Sequence, residues 1–240
     1  MKLYRNENWL EEKYVDEGLF GTEIAEMCGV HCTTIYKWLR KFDIEVRERG
    51  TPANHLELSD ELLEFLNGSL LGDGCIHLAH HGKSASYEER DTHGEYLNWL
   101  SNQLLRLGVE SRDIKKEKKG TFVLGTKYYR ELVKVRDKWY PNGKKKVPKD
   151  IELTSTSLLN WYLGDGSYDP NDTARIGVFS LKDGLPQLQS GLEKVGIKAN
   201  INSGGLRIRK ESLDRFFDYI LSDGVEIPPC YEYKFPRGVN

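Results

Sequence analysis

Two aspartates, Asp73 and Asp165, each stand before a glycine at the end of a nine-residue phrase: LNGSLLGDG over 66–74 and LLNWYLGDG over 158–166. A lone Asp-Gly is an ordinary turn; two copies, each closing an apolar helical stretch, are more than that. Gly68 and Gly72 recur four apart, as do Asn160 and Gly164, and that spacing sets residues on one helix face. Small or compact residues there let a second backbone come close. If the two helices pack through these faces, their C-terminal ends meet and the two carboxylates lie side by side. That placement is unfavourable alone. The carboxylates repel, and a negative charge at a helix C-terminus costs about 0.3–1 kcal/mol. A divalent cation reverses the balance, because its charge dominates the local field. Carboxylate oxygens suit Mg²⁺ (or Mn²⁺), which keeps waters and takes one or two carboxylates plus phosphate oxygens. Such a centre can activate water and stabilise the leaving oxygen in phosphodiester hydrolysis.

The elements that must position these acids form a weak internal repeat. Ser59 caps the first motif helix and Thr154 or Ser155 the second. After each motif come a strand pair, a helix, a second strand pair and a closing helix. In the first half these are Cys75–His80 with Ser84–Glu89, Glu95–Leu107, Arg112–Glu117 with Thr121–Leu124, and Tyr128–Trp139. In the second they are Ser167–Asp169 with Ala174–Ser180, Leu185–Val195, Lys198–Asn202 with Leu206–Arg209, and Glu211–Leu221. The hairpin turns are expected at His81-Gly82 and at Pro170-Asn171-Asp172. The halves lie 92 residues apart at the acids and 88 apart at Gly108 and Gly196, a drift that small loop deletions produce. The expected fold class is α+β, with two pseudo-symmetric αββαββα units over 59–147 and 148–240.

A small all-α segment precedes them. Trp9, Leu10 and Tyr14 are spaced for a helix that Gly18 closes. Thr22 is placed to cap a second helix, Gly29 permits a left-handed turn, and Thr33 is placed to cap a third. Ile24, Ala25, Val30, Ile35 and Leu39 supply a small core. Two helices joined by a short glycine-containing turn make a helix-turn-helix pattern. In a DNA-binding reading, Thr33, Thr34 and Lys37 start the recognition helix. Residues 1–50 are thus expected to form a DNA-binding domain, joined by a linker over 51–58 to residues 59–240. Cys28, His31 and Cys32 lie inside that turn without an obvious fourth donor, which argues against structural zinc.

The motifs LNGSLLGDG and LLNWYLGDG, with the stretch KVPKDIELTSTSLLNWYLGDGSY, resemble those of single-chain, two-motif LAGLIDADG homing endonucleases, over roughly residues 59–235. The resemblance implies that Asp73 and Asp165 are metal-binding catalytic acids, with Gly72 and Gly164 beside them at the metal. It implies cleavage of both DNA strands across the minor groove, leaving short 3′ overhangs. It also implies two saddle-shaped antiparallel sheets that read a long asymmetric site in the major groove. Family members keep basic residues near the scissile phosphates, where each half's last strand meets its closing helix; Lys127 and Arg209 or Lys210 stand there. Two positions depart from the pattern: Asn160 replaces a glycine, and Ser69 an apolar residue. Related activities implied for such chains are a non-catalytic DNA-binding transcription regulator and an RNA maturase acting on its host intron RNA.

Strand alternation proposes the DNA-facing side chains. Ile176, Val178, Leu206, Ile208, Ile201, Ile76, Leu78 and Ile114 are expected inside. That leaves Arg175, Arg207, Arg209, Asn200, Asn202, His77 and Lys115 outside, and Lys116 joins this set as a phosphate contact. The net charge of −2 over 240 residues argues mildly against a nucleic-acid partner. Resolved along the chain, however, residues 51–110 carry −7 and residues 111–150 carry +9. The basic block includes Lys118, Lys119, Lys144, Lys145 and Lys146, also read as phosphate contacts. Two motifs in one chain imply a monomer acting on double-stranded DNA. No run approaches the roughly 18 apolar residues of a membrane span. No secretory leader is visible and the four cysteines form no CxxC, so an intracellular protein (cytoplasmic or organellar), not secreted, is expected.

Overall fold

The computed structural model describes residues 2–47, 54–80, 82–117, 120–170, 173–178, 180–222, 224 and 226–236. The expected turns at His81 and Asn171-Asp172, and Lys118 and Lys119, lie outside them. So does the junction at 48–53.

Near the N-terminus, Asn6 Oδ1 accepts from the Trp9 amide at 3.2 Å and starts α1 (Glu7–Glu11), which runs on as a π-type turn over Glu12–Asp16. Helix α2 (Gly21–Met27) begins before the expected Thr22 cap. There the Glu23 carboxylate accepts from the Phe20 amide at 2.7 Å and takes over the capping role. Helix α3 (Cys32–Lys41) also begins earlier than Thr33, because His31 is its cap and accepts from the Thr33 amide through Nδ1. Gly29 makes the left-handed turn between them at φ 61°. Ile24, Ala25, Ile35 and Leu39 are buried with Tyr4, Leu10, Tyr14 and Ile44, and Val30 packs half-buried against them.

The second core belongs to the repeat. Ser59 Oγ accepts from the Leu62 amide and Thr154 Oγ1 from the Ser157 amide, each at 3.2 Å. They cap α4 (Asp60–Leu71) and α7 (Ser155–Asp165). After α4 come β1 (Cys75–Leu78), β2 (Ala85–Asp91), α5 (Gly94–Arg106), β3 (Lys115–Lys116), β4 (Phe122–Gly125) and α6 (Leu132–Trp139). After α7 come β5 (Gly166–Tyr168), β6 (Ala174–Gly177), α8 (Leu185–Lys194), β7 (Ala199–Asn202), β8 (Gly205–Ile208) and α9 (Leu213–Ile220). Both sheets are four-stranded and antiparallel, with matching orders β1-β2-β4-β3 and β5-β6-β8-β7. The αββαββα repeat is therefore present in both halves.

Within the repeat, further details differ from the sequence reading. Helix α6 starts at Leu132 rather than Tyr128, because Tyr129 exchanges backbone hydrogen bonds with Ala85 at 2.8 and 2.9 Å and so belongs to the sheet margin. Leu78 and Ile201 pair with Ala85 and Leu206 on the inner faces, yet remain 40% and 42% exposed. They sit on β1 and β7, the edge strands of the two sheets. Lys116 pairs with Phe122 on the inner side of its edge strand and lays its ammonium 5.4 Å from that ring. It therefore does not share a face with Lys115. No helix among the described residues is long and apolar enough to cross a membrane.

Candidate metal centre and nucleic-acid face

The acids are brought together by what the facing residues lack. A Cβ on Gly68 would lie 2.3 Å from the Ser157 carbonyl oxygen and 2.8 Å from Asn160 Cβ, so α4 and α7 touch backbone to backbone there. One turn on, Gly72 and Gly164 approach to ordinary contact, and a Cβ on Gly164 would stand 3.5 Å from the Asp73 nitrogen and 3.9 Å from its Oδ2. Asn160 does not wedge the helices apart. Its Nδ2 donates back to Thr156 O at 2.9 Å, while its Oδ1 is buried without a protein partner.

Asp73 reaches solvent and Asp165 is half-buried. Burial, and then the charge of Asp91, raises the Asp73 carboxyl above its usual value against the pull of Lys145 and Lys234. Burial, and then Asp73, pushes Asp165 up to about 6. The pair therefore resists double ionisation, the condition that a bound cation relieves.

The cations acting on both acids are Lys145 and Lys234, not the expected Lys127, Arg209 and Lys210. Lys145 Nζ donates to the carbonyls of Gly72 and Gly74 at 3.1 and 2.7 Å. Lys234 Nζ donates to the carbonyls of Leu163 and Gly164, the latter at 3.2 Å. Burial lowers both lysines, and both acids counter that effect. Lys127 instead pairs with Glu110 at 2.7 Å. Arg209 donates to Asn200 Oδ1 at 2.9 Å, and Lys210 opens the 3-10 turn Lys210–Ser212. Lys145, grouped in sequence with phosphate-contacting lysines, points inward. The two inward lysines stand 89 residues apart, within the drift of the repeat; that spacing is the signal that identifies them.

A second cluster escapes the sequence altogether. Glu89 is 2% exposed and accepts from the hydroxyls of Tyr87 and Tyr96, the latter at 2.8 Å. Burial pushes its carboxyl up to about 7, against the help of these hydrogen bonds. Asp91 accepts from the Tyr231 hydroxyl and lies 3.0 Å from His93 Nδ1. Pairing Cys75 with Glu88 and Ser167 with Arg175 makes Ile176 the repeat counterpart of Glu89. The two halves are thus electrostatically unequal.

The outer sheet faces carry polar rows. Across the second sheet, Ser167 pairs with Arg175, Arg175 with Arg207, and Arg207 with Asn200. Arg209 joins the row through Asn200, while Asn202 turns its Oδ1 to the Gly204 amide at 3.0 Å. The first sheet presents Lys115 and His77, with Arg90 beside them on Glu88 at 2.7 Å. On α3, Thr33 and Lys37 are exposed one turn apart and Thr34 is half-buried.

An uncharacterized protein of Methanocaldococcus jannaschii, MJ1098, is 29% identical over 169 residues, 65% of this chain and 64% of its own length. The cytochrome b mRNA maturase bI2 of Debaryomyces hansenii is 28% identical over 185 residues, 71% of this chain and 68% of its own. Among solved structures, the homing endonuclease I-WcaI bound to its DNA recognition sequence superposes with TM-score 0.57 at 19% identity, over 74% of this chain and 86% of that one. The homing endonuclease I-DmoI in complex with DNA and Mn superposes with TM-score 0.50 at 17% identity, over 70% and 98%. These superpositions establish the shared fold. The family model of the LAGLIDADG DNA endonucleases matches residues 63–216, a range that holds both Asp73 and Asp165, and the chain belongs to that family.

Proposed function

We propose that this protein is a site-specific double-strand DNA endonuclease that works as a monomer with divalent metal at Asp73 and Asp165. The observation carrying the reading is the glycine-mediated meeting of α4 and α7, which sets the two acids together at a point where each half adds an inward-pointing lysine. Solved relatives bound to DNA, one of them with Mn, support it.

A bound Mg²⁺ or Mn²⁺ supplies an activated water and charge for the departing oxygen. The carboxylates of Asp73 and Asp165 are the donors that hold it. The carbonyls of Gly72 and Gly164 each keep a lone pair beyond the one given to lysine. Lys145 and Lys234 fix the ends of the motif helices and place positive charge where charge grows on the scissile phosphates. Lys234→Met is expected to lower single-turnover cleavage by about 10²-fold while leaving DNA affinity within about threefold. Equal losses in both would make Lys234 a binding residue instead.

The outer rows serve as the reading surface, with Lys115 and His77 in the first half and Arg175, Arg207, Asn200 and Arg209 in the second. Arg207→Ala is expected to weaken specific binding by about 1–3 kcal/mol, measured as Kd on the preferred site. An unchanged Kd removes that row from the interface. Thr33, Thr34 and Lys37 of the N-terminal helices add contacts to DNA flanking the cut.

The test is cleavage-site selection on a randomised or genomic library with Mg²⁺. Double-strand breaks with short 3′ overhangs at one long asymmetric site support the reading. An uncut library, in Mg²⁺ and in Mn²⁺, overturns it. The maturase relative supports a second reading, assistance of intron RNA folding; tighter binding to host intron RNA than to any selected DNA would favour it.

A further inference from the structure

On the outer face of the first sheet, antiparallel pairing sets Cys75 opposite Glu88. The two-residue period of β1 brings His77 to the same face. Cys75 Sγ lies 3.1 Å from His77 Nε2, which lies 3.6 Å from Glu88 Oε1. All three donor atoms fall within 4.8 Å of one another. A tetrahedral ion with bonds of about 2.3 Å to sulfur and about 2.0–2.2 Å to nitrogen and oxygen holds its ligand atoms about 3.3–3.6 Å apart. The cluster is therefore near ligand spacing before any ion enters. Its chemistry is also selective. Thiolate, imidazole and carboxylate together suit zinc-class ions, whereas Mg²⁺ takes oxygen donors.

We propose that Cys75, His77 and Glu88 bind one zinc-class divalent ion on the outer face of the first sheet, leaving the fourth position open to water or an incoming ligand. The site differs in donor chemistry from the Asp73–Asp165 pair, although Asp73 lies only two residues before Cys75. Among the described residues no second cluster of this kind forms, and Cys28, His31 and Cys32 are not gathered into one.

Arg90 now occupies one side of Glu88 at 2.7 Å, and its Nε stands 3.8 Å from Glu117. Glu117 can accept the guanidinium when the ion takes Glu88, so no charge is stranded. As the sulfur–metal bond forms, the Cys75 thiol releases its proton to solvent. The ion brings two positive charges and the proton removes one, so the patch gains one. If this face lies against DNA, loading strengthens binding. That consequence rests on the endonuclease reading; metal binding itself does not.

The test is Co²⁺ titration of the full chain without DNA, followed by its thiolate-to-cobalt charge-transfer absorption. The expected result is a band that saturates at one ion per chain, is displaced by Zn²⁺ and is not displaced by Mg²⁺. Cys75→Ser abolishes it, while His77→Ala and Glu88→Gln each weaken apparent affinity by at least about tenfold. The Cys28→Ser/Cys32→Ser double variant and Asp73→Asn retain it. Glu88→Gln, nearly isosteric, carries the test if Cys75→Ser fails to fold by circular dichroism. Absence of the band, its survival in Cys75→Ser or its loss in the Cys28→Ser/Cys32→Ser variant overturns the proposal. So does an unchanged affinity in Glu88→Gln.

Discussion

The Asp165→Asn variant is expected to be more stable than the wild type without metal, by roughly 1–2 kcal/mol at pH 8, and to cut DNA at least about 10³-fold more slowly. The stability gain follows from the carboxyl pushed up to about 6 from the usual 3.8. The folded chain holds that proton more tightly than the unfolded chain, so ionising the group costs folding free energy. Stability is therefore lost as pH rises from 3.8 through about 6. Glu89, pushed up to about 7, extends the loss upward. A tenfold difference in proton affinity between the folded and unfolded chains is worth about 1.4 kcal/mol, and the partial exposure of Asp165 to screening solvent reduces the yield. Asparagine keeps the shape and removes the charge. In the wild type Mg²⁺ should recover part of what high pH removes; in the variant it should recover much less. Thermal melts at pH 5 and pH 8, with and without Mg²⁺, measure both effects. A variant less stable than the wild type at pH 8 without metal would contradict the electrostatic account of the acid pair.

Gly68→Val carries the largest expected loss of stability, roughly 3 kcal/mol or more. The atom met by the new Cβ, at 2.3 Å, is the Ser157 carbonyl oxygen, a backbone atom inside α7 that has no rotamer to yield. Moving α7 away separates the two ends that hold Asp73 and Asp165, so cleavage should fall with stability. Asn160→Ala is the contrasting substitution. It removes the Nδ2 bond to Thr156 and the unpaired Oδ1 together, and its expected cost is within about 1 kcal/mol. Urea unfolding of the two variants separates the cases. Equal midpoints would mean that the close approach at Gly68 is not what holds the helices together.

The sequence made the acid pair legible because its signals are local and duplicated. Caps at Ser59 and Thr154, small residues four apart and two Asp-Gly endings all lie within the segments they organise. The matched sheets followed from the same repeat. The lysines were not legible in this way. Lys145 reaches Gly74 across 71 positions, as Lys234 reaches Leu163, and Lys145 stands in a run that reads as outward phosphate contacts. The family pattern points to Lys127 and Arg209 or Lys210 instead, and packing sends those outward. Glu89 occupies an inner strand position that alternation assigns to an apolar residue, as Ile176 does in the other half. Only the tyrosine hydroxyls packed around it show why a carboxyl is tolerated there. Lys116 departs from expectation for a related reason: adjacent strand residues point to opposite faces, so it and Lys115 cannot both face outward.

The most direct measurement is strand-resolved, single-turnover cleavage of the selected site in Mg²⁺ by the wild type, Asp73→Asn and Asp165→Asn at matched DNA occupancy. The account predicts breaks in both strands by the wild type, none in EDTA, and loss of double-strand cleavage in either variant with binding retained. Undiminished double-strand cleavage by either variant would contradict the assignment of Asp73 and Asp165 as the metal-holding pair.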